Sequence, residues 1–173
     1  MDYEDDDFIP ELIDVTVADL ETDAETVRRE RRALEPALKS LQSQGFYAYG
    51  TFDDQRRFSI AVDDEAGRVD VRVGDDGFEI ELWGSSPGLF SDEDNEWKRR
   101  VHERLARMQI ANIARGQLAP HQHAYWDEVD HGVAVRLLFQ VAFARAPQIG
   151  AFVREHFPEV DEVIGFVESQ LSV

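Results

Sequence analysis

The sequence predicts an α+β domain: an antiparallel β-sheet, built as a meander plus a hairpin, with helices packed on one face. Three observations carry that expectation. After Gly45 the hydrophobic period changes from about 3.6 residues to about 2. Four short runs rich in β-branched and aromatic residues then follow, separated by the turn sequences DDQR, DEAG and DDG. Helical stripes stand before, between and after the strands, each bounded by glycine or proline.

Taken in order, residues 1–23 hold many acids and no lysine or arginine, punctuated by Phe8, Ile9, Leu12, Ile13, Val15, Val17 and Leu20. This composition suits an acidic N-terminal tail, either partly disordered or a docking arm that folds on a partner or a neighbouring subunit. A single α+β domain is expected over 24–173. Its first helix should span 24–44, with Val27, Leu34, Leu38 and Leu41 on the buried stripe, Asp23 as N-cap and Gly45 as the stop. Pro36 lies inside it and should kink or split it. Strands are expected at 46–52, 57–63, 68–74 and 78–84. Val69, Val71 and Val73 alternate with Arg68, Asp70 and Arg72, and Phe78, Ile80 and Leu82 with Glu79 and Glu81, which leaves one face of the meander wet.

A second helix should follow the loop SSPGLFSDEDNEW, capped by Ser91 or Asp92. Trp97, Val101, Leu105 and Met108 form its expected core stripe, widened by Ile110 and Ile113, and Gly116 and Pro120 end it. Two more strands, 121–127 and 133–144, turn around EVDHG. The last helix should begin after Pro147 and break at Pro158.

The charge is extreme. Sixteen arginines and two lysines face 36 carboxylates, for a net charge of -18. At low ionic strength such a chain repels itself. At about 1 M salt the Debye length falls to about 3 Å and separated surface charges stop interacting. Scarcity of lysine, whose long apolar stem covers hydrophobic surface, fits the same setting. The expected habitat is the cytosol of an extreme halophile. Acids scattered through every segment argue against the rival reading, an acidic mimic of nucleic acid. Direct nucleic-acid binding is not expected, because cations are outnumbered two to one. There is no cysteine, hence no disulfide and no thiolate metal site. The acidic start MDYEDDDFIPEL is the reverse of a basic signal peptide, and the longest apolar stretch, 133–144, is broken by Arg136 and Gln140. A cytoplasmic protein that enters no membrane is expected.

No phosphate-binding glycine loop, GxSxG elbow, HExxH or calcium loop is present. The constellation that invites chemistry is His121, His123, Asp127, Glu128, Asp130 and His131. On a strand His121 and His123 point the same way, and a hairpin would bring His131 and a carboxylate near, the donor set of zinc or iron. A metal-dependent enzyme or metal sensor on His121, His123 and His131 is therefore the alternative function; the bland account is a polar strand and turn. Among the tryptophans, Trp97 fits the core stripe of its helix. Trp83 shares a strand face with Glu79 and Glu81, and Trp126 one with Glu128. Both are candidate partner-binding residues. The arginine-rich helical faces, 28–32 and 99–107, are expected to be solvated and internally paired, as Glu96 with Arg100.

The run WKRRVHERLARMQIANIARGQLAPHQHAYWDEVDHGVAVRLLFQVAFARAPQIGAFVREHF reads helix, strand, acidic turn with glycine, longer apolar strand, helix. It is similar to the YbjN-like family, whose fold resembles type III secretion chaperones of the CesT/Tir class, and residues 24–83 resemble the first half of that fold. The resemblance implies a chaperone-like sandwich, homodimerisation and binding of another polypeptide without catalysis, and it carries over no catalytic or cofactor residues. The leading expectation is a non-enzymatic protein-binding or regulatory module adapted to high salt.

Overall fold

The computed structural model describes residues 17–53 and 55–173. Helix α1 (Val17–Ser43) leads into β1 (Ala48–Phe52), β2 (Phe58–Asp64), β3 (Gly67–Val73) and β4 (Phe78–Ser86). Helix α2 (Glu96–Gly116) crosses to the hairpin β5 (Gln122–Asp127) and β6 (Gly132–Val141), and a 3-10 turn (Phe143–Gln148) feeds α3 (Ile149–Gln170). The strands form one antiparallel sheet in the order β1-β2-β3-β4-β6-β5, so β6 joins the hairpin to the meander. The fold class is α+β, as the periodicities predict.

Register decides which face is dry. Ile60, Val71, Ile80 and Phe139 lie in one row across β2, β3, β4 and β6, and Val62, Val69, Leu82 and Leu137 in the next. Except for the partly buried Phe139, these side chains are almost wholly buried, packed with Leu34 and Leu41 of α1 and Val153, Val160 and Val167 of α3. Burial of each such side chain contributes about 1.5–3 kcal/mol. Where α3 crosses β4 the approach is so close that a Cβ on Gly84 would stand 2.6 Å from Val160 Cγ1.

Helices α1 and α3 are joined by a polar link. The buried Ser40 hydroxyl donates to the carbonyl of Pro147 at 2.7 Å and accepts from the Gly150 N–H at 2.8 Å. Gln148, at the N-cap of α3, makes no side-chain capping bond. Ser40 thus serves, from another helix, one of the donors that every helix start leaves unsatisfied.

Several expectations need correction. α1 begins at Val17, so Asp23 lies within it, and residues 17–23 of the expected tail are helical; residues 1–16 lie outside the described residues. Neither Pro36 nor Pro158 ends its helix, since both rings sit on exposed positions and each removes only one backbone donor. Gly45 does stop α1, at φ 88°. Asn95, not Ser91 or Asp92, caps α2, its Oδ1 accepting from the Lys98 N–H at 3.0 Å. The largest correction concerns the stripe of α2. Ala106, Ile110 and Ile113 face the core, while Trp97 is 72% exposed, Met108 60% and Leu105 41%. The space between α2 and the sheet is filled instead by Phe90 and Trp126, stacked at 5.9 Å between ring centroids, with His102 against Phe90. Among the described residues no helix is long and apolar enough to cross a membrane.

Candidate functional site

All three helices pack on one face of the sheet, and no described element covers the other. That open face is set by the alternation of β3 and β4: Arg68, Asp70 and Arg72 stand on the side opposite Val69 and Val71, and Glu79, Glu81 and Trp83 opposite Ile80 and Leu82. Register adds Arg136, Leu138 and Gln140 from β6, with His123 and Tyr125 from β5. A cavity of about 800 Å³ lies over its middle, between Thr51 and Asp53 on one side and Leu138 and Gln140 on the other.

Its charges are paired in place. Arg72 Nε meets Glu79 Oε2 at 2.6 Å, and Arg68 reaches Asp70 at 3.0 Å and Asp63 at 3.6 Å. The Glu79 and Asp70 carboxylates hold these two guanidiniums still more firmly protonated, against a smaller opposing effect of burial. Arg136 Nε lies 2.9 Å from Glu81, yet its N–H is not aligned for a hydrogen bond and has no other partner. Tyr49 donates to Asp63, and this bond, helped by the carboxylate's charge, raises the phenol's pKa. With each arginine already facing a carboxylate, the face offers no ready seat for a phosphate. Its apolar content is greater. Trp83 Nε1 donates to Tyr125 Oη at 2.6 Å across β6, Tyr125 and Leu138 are exposed, and Ala134 beneath is fully buried. Such a surface recognises shape and apolar groups, with polar donors fixing orientation.

Of the two candidate tryptophans, Trp83 is half-buried on this face. Trp126 is not on it: Trp126 pairs with Val133 on the core side and is only 5% exposed, with its indole N–H unpartnered. Alternation gives the reason, because β5 ends at Asp127 and Glu128 belongs to the turn. Tyr125, its neighbour, takes the outward place.

The three histidines of the metal alternative are held apart. Strand pleating begins at Gln122, so His121 escapes the alternation and turns to the helix side, where its Nε2 lies 2.6 Å from Glu159 of α3. His123 is exposed and pairs in register with Arg136 on the open face. His131 sits in the turn at φ 54°, 3.5 Å from Glu103 of α2. Of the carboxylates, Asp127 accepts from the Val129 N–H, Glu128 pairs with Arg107, and Asp130 lies by Ser85. Among the described residues no group of three or more such donors is arranged to hold a metal ion. A smaller cluster replaces it: Glu159 is met by His121, by Gln122 at 2.8 Å and by His156 at 3.5 Å. Burial alone would push the Glu159 carboxyl up, but hydrogen bonds from Gln122 and His121 and the charge of His121 outweigh it and lower the pKa.

No known family model matches the chain, and no curated protein or solved structure compared with it shows significant similarity.

Proposed function

We infer that the protein is a non-enzymatic, chaperone-like protein-binding module that works as a homodimer in a high-salt cytosol and docks its partner on the open face of the sheet. One observation carries this reading. A six-stranded sheet buries one side under three helices and leaves the other, with Trp83, Tyr125 and Leu138, facing outward. Large apolar groups left outside a fold with ample helix to cover them mark a surface kept for another polypeptide. The resemblance to YbjN-like proteins points the same way. The acid-rich composition supports the high-salt setting, and the described acids are spread too widely for a nucleic-acid mimic: Asp63, Asp64 and Glu65 sit at one end of the sheet, Asp75 and Asp76 at the other.

Affinity capture from host extract at about 2 M KCl, where surface charges are screened, tests the reading with two baits. Wild type should retain a polypeptide that the variant Trp83→Ala with Leu138→Ser loses. Equal recovery on both baits, or a small metabolite in place of a polypeptide, would refute it.

A further inference from the structure

We propose that β1 pairs with β1 of a second copy of this chain, antiparallel about a two-fold axis at Gly50, so that the two sheets become one. The inference rests on the dimer reading above and names the surface that builds it.

β1 is an edge strand, and its two sides are unequal. Hydrogen-bonded pairs alternate with non-bonded ones along an antiparallel ladder. The Asp53 N–H donates to the Arg57 carbonyl at 2.9 Å, so the next bonded pairs are Thr51 with Ser59 and Tyr49 with Ala61. Ala48, Gly50 and Phe52 therefore turn their N–H and C=O groups away from the sheet. Among the described residues these groups meet only the Gln42 side-chain amide, 3.3 Å from the Ala48 carbonyl oxygen, which keeps a second lone pair.

Folded proteins blunt such edges with charged residues or proline. β1 has neither. Its sequence AYGTF is uncharged, whereas each of the other five strands holds at least one Asp, Glu or Arg. Phe52 is 54% exposed, and Tyr47, just before the strand, 78%. An open, uncharged edge bearing aromatic side chains is a place for another strand.

The register identifies that strand as β1 itself. Pairing centred on Gly50 sets Ala48 against Phe52 of the second copy, Gly50 against Gly50, and Phe52 against Ala48. All three outward residues of both copies then bond, in three pairs of two bonds each. Any other register leaves at least one of the three unpaired. Side-chain sizes match as well. On the helix side Phe52 covers the small Ala48 of the second copy, and on the open face Tyr49 stands opposite Thr51, an aromatic with a β-branched residue. At the axis glycine meets glycine. The Phe58 ring lies so close over Gly50 that a Cβ there would stand 2.6 Å from its Cζ, and it closes the helix side of the seam. No strand residue at the seam is charged, so backbone bonds and apolar contacts hold it in salt that screens ion pairs. A two-fold axis perpendicular to the sheet keeps the helices of both copies on one side. Their open faces join into one surface.

Sedimentation equilibrium of the full chain at about 2 M KCl should find the wild type dimeric. Phe52→Pro removes an N–H that bonds nothing within the molecule, at an edge position that accepts proline. It should weaken the dimer at least about tenfold, because symmetry deletes two intermolecular bonds at once. Phe52→Ala, which loses the ring but keeps the N–H, should weaken it less. A second readout does not depend on the proline variant folding. The chain has no cysteine, so Tyr49→Cys and Thr51→Cys each carry a single thiol. Mixed and oxidised, these two should link to each other in preference to themselves. Tyr49 and Thr51 of opposite copies have Cβ atoms about 4.5–5.5 Å apart, while like residues stand diagonally at about 7–8 Å, too far for a disulfide. A dimer that survives Phe52→Pro, equal weakening by proline and alanine, or no preference for the mixed disulfide overturns the β1 seam while the dimer reading stands. A monomeric wild type overturns both.

Discussion

Replacing Ser40 with alanine tests whether α1 and α3 are joined as described, and the sign of the effect decides it. Alanine is the better helix former by about 0.5 kcal/mol, so if Ser40 were only a helical residue, the variant would be more stable. The Ser40 hydroxyl, however, accepts from the buried Gly150 N–H and donates to the Pro147 carbonyl. Loss of the acceptor leaves a buried backbone donor unsatisfied, at about 1–3 kcal/mol. Pro147 is exposed and water can replace its donor. The net loss is about 0.5–2.5 kcal/mol, a fall in Tm of roughly 1–10 °C for a chain of this size. Thermal and urea melts at fixed KCl measure it, and hydrogen exchange at the Gly150 amide should accelerate locally. Ser43→Ala provides the control, since its hydroxyl bonds only to the Ser40 carbonyl at the exposed end of α1. A Ser40→Ala variant with unchanged or higher Tm would refute the link.

Gly84→Ala should cost about 1–3 kcal/mol by overpacking against Val160, and in the double variant with Val160→Ala the loss should be smaller than the sum of the two single losses. Glu159→Gln should flatten the acid limb of the stability profile. The native carboxyl titrates below its unfolded value, so its contribution is present above the usual glutamate pKa of about 4.3 and is lost as pH falls through the lower native value. Urea midpoints of the two proteins should therefore differ at about pH 6 and draw together as pH falls below about 4.3; a constant difference would contradict the assignment. Tm should rise with potassium chloride well beyond about 1 M, and sodium perchlorate, equal in screening but opposite in salting-out strength, should stabilise less than sodium chloride if apolar burial contributes. A flat profile between about 0.1 and 2 M chloride would leave the acidity without a solvent explanation.

The sheet was legible because alternation is a local property: Val69-Asp70-Val71 and Ile80-Glu81-Leu82 declare their faces whatever they pair with. The strand order was less so, since nothing in β5 or β6 alone says that β6 lies next to β4. The open face with Trp83 followed from alternation, whereas Trp126 was misplaced by one pleat because the strand end at Asp127 was not visible in the sequence. α2 misled for a different reason. It carries two apolar rows, and which one faces inward depends on Phe90, a loop residue, filling the gap beneath. The polar link at Ser40 had no sequence signal at all, because its partners lie more than a hundred residues away.

The placement of β6 between β4 and β5 has a consequence in time. On the ribosome the four-stranded meander is complete when Ser86 is made, but the partner of β4 is finished only at Val141. At about 5–20 residues per second, the outer edge of β4 waits roughly 3–11 s with its ladder unpaired. A strand of sequence FEIELW left open that long is a site for association between nascent chains. Glu79 and Glu81, which later belong to the open face, keep two hydrated carboxylates on it throughout the wait, and their hydration opposes pairing with a neighbouring chain until β6 arrives.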